Sequence, residues 1–353
     1  MLNLLAAAHR IQILILCKKS GVIKMTSLFS FVALNEPVWR CINAAESSLS
    51  LLEIARKSGL RTWEVSRIIN NIKSQDLGVR LGFEINLEKA GLLEVATISH
   101  KSLERVPYLR AQRTLRILGR KLFLYTGMMP AEDSAVAEWL STFEESALTV
   151  RALEHGWWRT DAPATVYHDG WVHGDVEAVK VTDKPQPGLP EEKKIELDDE
   201  DVLLLWAKFR WPFTSLREAE RESEKYLGRR VSHQVLSWHF KNHVLKLWAG
   251  NRVRLYADAQ QVPYRLLYLE GKDAPAVARA LVQLPWFHTA YIDIGKAVVS
   301  GQPPCASMPH LYRVLGDLDV DVLEFAMEMS TVKWVPIFGL LSQIVKRKEV
   351  VSG

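Results

Sequence analysis

The sequence predicts an α+β protein built twice on one plan, a winged or helix-turn-helix domain followed each time by a ferredoxin-like βαββαβ domain. Three observations carry this expectation. The chain repeats itself internally. Each half holds a basic amphipathic helix just after a glycine. Strands and helices then follow in the same order in both halves.

The repeat shows where LYTGMMP, Leu124 to Pro130, finds its counterpart in VVSGQPP, Val298 to Pro304. The spacing between Gly127 and Gly301 is shared by the segments beginning at Ala147 and Asp321, and a slightly shorter spacing relates Arg61-Thr62 to Arg230–Ser232. Small insertions account for the drift.

In the first half a helix around Val38 to Ala45 leads into SLLEIARKSG, whose Leu51, Leu52, Ile54 and Ala55 fall at helical spacing before Gly59. Thr62 is placed as the N-cap of a second helix, with Val65, Ile68, Ile69 and Ile72 on one face. Arg61, Trp63, Ser66, Arg67, Asn70 and Lys73 fall on the other. The second half repeats this with Val202 to Trp206, then Leu216 to Leu227, Gly228, and a helix capped by Ser232. Its free face carries Arg229, Arg230, His233, Gln234, Ser237 and Lys241. The pieces VRLGFEIN and NRVRLY that follow are each a wing or a linking strand.

Strand, helix, strand, strand, helix, strand then follow twice. The first set is Leu92 to Ile98, Leu103 to Ala111, Thr114 to Arg120, Leu122 to Thr126, Ala135 to Phe143 and Ala147 to Leu153. The second is Tyr264 to Leu269, Pro275 to Val282, Phe287 to Asp293, Lys296 to Ser300, Met308 to Leu315 and Val320 to Met327. Between them, Asp169-Gly170 signals a hairpin, and DKPQPGLPEEKKIELDDED reads as a linker. The expected boundaries are an N-terminal extension 1–24, with its start misassigned or a fraying helix, and then domains 25–86 and 87–160. A hairpin and linker 161–198, domains 199–258 and 259–330, and a C-terminal extension 331–353 complete the chain.

Composition narrows the class. With 48% hydrophobic and 24% charged residues the chain can fill several cores, which excludes general disorder. Its 45 basic residues barely exceed 41 acidic ones, so the location of charge matters more than the net +4. Cys17, Cys41 and Cys305 are too scattered for a disulfide framework, which fits a reducing, cytoplasmic setting. The apolar start is interrupted by His9 and Arg10 and reads poorly as a signal peptide, and Val335 to Val345 is too short to span a bilayer, so no membrane partner is expected.

A cationic helix fits the major groove, where Arg, Asn and Gln pair with base edges and Lys and Arg neutralise phosphates. The DNA-facing set is therefore Arg61, Thr62, Trp63, Ser66, Arg67, Asn70, Lys73, Arg229, Arg230, Ser232, His233, Gln234, Ser237 and Lys241. Against it stand Glu64 and the acidic helix carrying Glu218, Glu220, Glu222 and Glu224. His239 and His243 have zinc-ligand spacing without the glutamate of HExxH, and His168, Asp169, His173 and Asp175 fall in the hairpin, so no metal is expected. Trp157, Trp158, Trp171, Trp286 and Trp334 read as core or interface aromatics. No phosphate loop, dinucleotide fingerprint or nucleophile elbow is present, and no cofactor is expected.

The stretch LLEIARKSGLRTWEVSRIINNIKSQDLGVRLGFEINLEKAGLLEVA resembles the reader helix, connecting strand and first sheet strand of Lrp/AsnC regulators. The resemblance implies a sequence-specific DNA-binding transcription regulator, not an enzyme, with double-stranded DNA as partner and RAM-like domains that respond to a small-molecule effector. Gly127 and Gly301 would be where an effector approaches backbone, or else strand ends needing an unhindered turn. Family members carry one unit and dimerise, so two unlike units imply an intrachain pseudo-dimer or a homo-oligomer. Siroheme decarboxylases share the two-part plan, making a tetrapyrrole enzyme the alternative from another class. A protein-binding scaffold is a third.

Overall fold

The computed structural model describes residues 28–75, 77–182, 185–187 and 195–352. The expected N-terminal extension and part of the linker lie outside them.

The chain begins with β1 (Leu28–Ala33) and three helices, α1 (Glu36–Ala45), α2 (Leu51–Ser58) and α3 (Thr62–Lys73). Helix α3 buries Val65, Ile68, Ile69 and Ile72 against Ile42 and Ile54. Each such side chain withdrawn from water contributes about 1.5–3 kcal/mol. Thr62 is the first helical residue, and the N-cap position falls to Arg61, whose backbone N–H donates to Glu64 Oε2 at 2.9 Å.

Strands β2 (Val79–Ile85), β3 (Leu92–Ser99), β4 (Leu109–Ile117) and β5 (Arg120–Pro130) follow, then α4 (Asp133–Leu140), β6 (Leu148–Arg151) and β7 (Glu154–Gly156). The helix expected over Leu103 to Ala111 does not form. Pro107 and a left-handed Tyr108 (φ 55°) interrupt it, and Leu109 to Ala111 belong to β4. A hairpin of β8 (Thr165–His168) and β9 (Trp171–Asp175) adds β1 to make a three-stranded sheet.

The second half opens with α5 (Asp199–Arg210), α6 (Leu216–Leu227) and α7 (His233–His239), continued by a π-helical turn, Phe240–Val244, and α8 (Leu245–Leu247). Helices α2 and α6 both end at a left-handed glycine, Gly59 and Gly228, each with φ 68°. Next come β10 (Trp248–Leu255), β11 (Arg265–Glu270), α9 (Ala274–Leu281), β12 (Phe287–Asp293) and β13 (Lys296–Gly301). A 3₁₀ turn at Cys305–Ser307, α10 (Met308–Leu315), β14 (Asp321–Trp334) and α11 (Ile337–Ser352) complete the chain. Leu340, Leu341 and Ile344 of α11 pack into the same core as Val202 to Ala207 of α5.

Nine strands form one antiparallel sheet in the order β6-β3-β5-β4-β14-β11-β13-β12-β7. The halves join where β4 pairs with β14. Its outermost strands, β6 and β7, are separated in the chain only by Ala152 and Leu153, so the sheet must curl until its two ends meet. Arg151 fastens that seam: its backbone N–H and Nε both donate to Asp293 Oδ2 at 3.0 Å, and Nη2 donates to Oδ1 at 2.9 Å. Inside the curl, Ile98, Leu115, Leu124, Val150, Leu266, Tyr268 and Phe325 form a core contributed by both halves. The strands β2 and β10, one from each half, form a separate antiparallel ribbon with Val79 opposite Leu255 and Gly82 opposite Arg252. The architecture is mixed α+β with a curled antiparallel sheet. Among the described residues no helix is long and apolar enough to cross a membrane.

Candidate active site

The ribbon and the curled sheet enclose a cavity of about 440 Å³, within the usual range for small-molecule sites. From the ribbon come Arg80, Arg252 and Arg254; from β4 come Arg110 and Arg113. Strand alternation explains the grouping, since Arg252 and Arg254 are two residues apart and share a face. Tyr256, Tyr264, His288, Thr289 and Tyr291 line the opposite side, with the exposed Trp334 at the edge.

Five guanidiniums here face two buried carboxylates. Arg110 is paired to Glu94, and Arg252 Nη2 lies 2.6 Å from Glu84 Oε1, which Arg254 also approaches at 3.9 Å. Glu328 lines the cavity too but is engaged by Arg116 at 2.8 Å. Arg113 has no carboxylate partner among the described residues, and the buried Nε atoms of Arg113 and Arg252 have no hydrogen-bond acceptor. Buried donors left unmet cost on the order of 1–3 kcal/mol each, so these two point to an anionic occupant.

The remaining polar groups are tuned by burial. His288 Nε2 lies 2.6 Å from the Leu255 carbonyl, an obligate acceptor, so Nε2 carries the proton and Nδ1 accepts from the Tyr264 hydroxyl at 2.8 Å. Burial, with Arg254 adding to it, lowers the His288 pKa to about 3, keeping the ring neutral. His155 is lowered to about 4, chiefly by burial, and its Nε2 meets Thr289 Oγ1 at 3.2 Å and Arg252 Nη1 at 3.3 Å. Burial raises the phenols of Tyr264 and Tyr291, so both stay protonated. The arrangement can hold several carboxylates on fixed guanidiniums beside neutral acids able to give up a proton.

The residues expected to face DNA lie elsewhere. Arg61, Thr62, Trp63, Arg67, Asn70 and Lys73 are exposed on or beside α3, with Ser66 half-buried. Arg61 is spent on Glu64 at 3.1 Å and stacks over Trp63. In the second half Arg229 pairs with Glu200 at 2.5 Å and Arg230 lies 3.7 Å from Glu220. Ser232 caps α7; His233, Gln234 and Lys241 are exposed and Ser237 half-buried. Gly127 and Gly301 are packed tightly. A Cβ on Gly127 would stand 2.5 Å from the Trp139 ring, and one on Gly301 would overlap the Trp286 carbonyl.

None of the cavity arginines was singled out by sequence reasoning. The signal was the alternation of Arg252 and Arg254 in NRVRLY, read as a wing or linking strand; Arg110, read as part of a helix, and Arg113, three residues further on, lie on a strand whose register shifts between Leu109 and Ala111.

The fold and cavity together define an α+β protein with a cationic, aromatic-lined pocket inside a curled sheet. Two solved structures are similar to this chain over most of its length. One is the siroheme decarboxylase NirDL, 12% identical, with 89% of this chain and 100% of that chain covered and a TM-score of 0.46. The other is the same enzyme in co-complex with an iron-uroporphyrin III analogue, 13% identical, covering 90% and 99% at a TM-score of 0.47. No protein-family model and no curated protein matches the sequence.

The expectation of a non-enzymatic Lrp/AsnC-like transcription regulator, with double-stranded DNA as partner and an effector-responsive domain, is corrected here. Both solved likenesses are to an enzyme, one of them holding a tetrapyrrole analogue. The physical reason is where the charge sits. The helix-face arginines Arg61, Arg229 and Arg230 are neutralised by neighbouring glutamates, whereas unmet cationic donors gather inside the sheet.

Proposed function

We propose that this chain is an enzyme that binds a polycarboxylated tetrapyrrole in the arginine-walled cavity and decarboxylates it, in the manner its neighbour's name, siroheme decarboxylase, describes. The observation that carries this reading is the surplus of guanidinium in an enclosed pocket also lined by Tyr256, Tyr264 and Tyr291. A flat aromatic macrocycle fringed with carboxylates matches both features, since its rim pairs with arginine and its face with the phenol rings.

In such a reaction the bond from a side-chain carbon to its carboxylate breaks, carbon dioxide departs, and the carbon keeps the electron pair and takes up a proton. Arginines that bind the other carboxylates orient the macrocycle without acting on the leaving group. The leaving carboxylate is best seated away from them, because pairing with guanidinium would stabilise it against loss. Tyr291, kept protonated by burial, is the proton donor within the cavity, since the single hydroxyl proton of Tyr264 is committed to His288 Nδ1.

The same reading includes a three-helix, helix-turn-helix-type unit over 25–86 and 199–258, supported by the recurrence of three helices before a ribbon strand, and ferredoxin-like units over 87–160 and 259–330, supported in the second by the order β11, α9, β12, β13, α10, β14, whereas in the first β4 follows β3 with no helix between them. The cytoplasm as compartment is supported by the unpaired thiols of Cys41 and Cys305.

The test has two readings. Iron-uroporphyrin III titrated into the purified chain should give a saturable change in its visible absorbance, and siroheme incubated with the chain should lose carbon dioxide, read by mass spectrometry of the product. No saturable change overturns the binding site. Binding without any product overturns the catalysis.

A further inference from the structure

At the start of α5, among residues that do not line the arginine cavity, four side chains converge. Asp198 caps α5 and Asp201, completely buried, sits in its first turn. His239 ends α7 and His243 lies in the π-helical turn that follows. His243 Nδ1 is 2.7 Å from Asp201 Oδ2; His239 Nδ1 is 3.2 Å from Asp201 Oδ1 and 3.4 Å from Asp198 Oδ1. One ligand atom from each residue lies within 4.8 Å of all the others.

We propose that Asp198, Asp201, His239 and His243 form a site for a zinc-class divalent cation that fastens α7 to the beginning of α5. Spacing is the first argument. Bonds of about 2.0–2.2 Å in a tetrahedron separate ligand atoms by roughly 3.3–3.6 Å; His239 Nδ1 already stands 3.2 Å from Asp201 and 3.4 Å from Asp198, and separations of up to 4.8 Å within the cluster close by movements of about an ångström shared between side chains. Charge is the second. Two carboxylates and two neutral imidazoles neutralise a divalent cation fully, and a fully buried carboxylate calls for such compensation.

Backbone geometry is the third. The helix widens into a π turn over Phe240–Val244, which starts just after His239 and contains His243. Such insertions recur at functional sites. Trp238 covers the pair from outside, its ring 4.9 Å from His239 and 5.2 Å from His243. The sequence offered the pair His239 and His243 and the group His168, Asp169, His173 and Asp175, and the chain folds only the first into a ligand cluster among the described residues: His173 of the other is turned to Ser30, 3.1 Å away. Oxygen and nitrogen donors in a four-coordinate set suit zinc rather than magnesium or calcium, which take six or more oxygens. The site does not depend on the tetrapyrrole reading, and a failure of either leaves the other standing.

The experiment uses the full chain, stripped with a chelator and titrated with zinc alone. One equivalent should bind per chain and raise Tm, and cobalt in its place should give the intense visible bands of a tetrahedral centre. His243→Ala and Asp198→Asn should each weaken zinc binding roughly tenfold or more, while His173→Ala should not change it. If His243→Ala fails to fold, Asp198→Asn still decides the matter, because asparagine serves equally well as an N-cap and removes only the charge. Absence of stoichiometric zinc in the wild-type chain, or wild-type affinity in Asp198→Asn, overturns the site.

Discussion

Tyr264 donates its hydroxyl proton to Nδ1 of His288 across 2.8 Å, and the direction of that bond is dictated by the Leu255 carbonyl on the far side of the ring. A carbonyl accepts only, so the imidazole is held as the Nε2–H tautomer with a lone pair toward the phenol.

The first prediction concerns acid. His288 and His155 are held neutral in the folded protein, at about 3 and about 4 against an ordinary 6.5, so below 6.5 the unfolded chain binds more protons than the folded one. Stability is then fully present above pH 6.5 and falls as pH drops toward 4 and 3, by roughly 1.4 kcal/mol per pH unit for each ring within its window. Glu46, raised by burial to about 6, opposes this between its unfolded value and pH 6. Comparison with His288→Gln cancels that background. Urea midpoints measured from pH 7 to 4 should fall less steeply in the variant; parallel slopes would show that His288 is protonated in the fold.

A second prediction separates ligand binding from stability. Among the described residues Arg113 has no carboxylate partner, so Arg113→Met should leave Tm unchanged or raised while weakening iron-uroporphyrin III binding about tenfold to a hundredfold, the value of a charge-assisted hydrogen bond. Arg252→Met should weaken binding too, but at a cost in Tm, because it strands the buried carboxylate of Glu84. Absorbance titration alongside calorimetry distinguishes the two.

The helix faces supply the control. Arg67→Ala and Lys241→Ala, on exposed surface outside the cavity, should shift unfolding free energy by no more than about 0.5 kcal/mol and leave tetrapyrrole affinity unchanged. A large loss of affinity from either would move the binding site to the helices.

The repeated glycines are a fourth test. Gly127→Ala should cost roughly 1–3 kcal/mol, because the Trp139 ring must move, and Gly301→Ala should cost more, because it meets backbone at Trp286. Chemical denaturation reads both. Full stability with selective loss of a ligand would instead mark them as backbone contact points.

Finally, Arg151→Met should lower stability by about 1–3 kcal/mol, leaving the nearly buried Asp293 with backbone donors only. Adding Asp293→Asn should recover part of the loss, and a double-mutant cycle on urea midpoints measures the coupling.

Local periodicity was readable. The buried face of α3 and the length of α6 follow from residue spacing alone, and the second half's β11 to α10 lie within a residue or two of where their apolar patterns fall. The failure at Leu103 to Ala111 came from apolar spacing that suits a helix, overruled by Pro107 and the left-handed Tyr108. The cavity was hidden for a different reason. Alternation in β10 shows that Arg252 and Arg254 share a face, but what they face depends on β2 pairing with β10 and β4 with β14, which no local pattern encodes. The metal cluster was hidden likewise: Asp201 lies in an acidic run next to the linker, 38 and 42 residues before its histidines.

The ribbon draws β2 from the early part of the chain and β10 from the late part. Neither part expressed alone could finish the arginine wall, and each would display a bare row of backbone amides and carbonyls to any chain with a matching edge. Two halves joined this way are locked: they can diverge side chain by side chain, yet neither can be discarded, swapped or set free as an independent module.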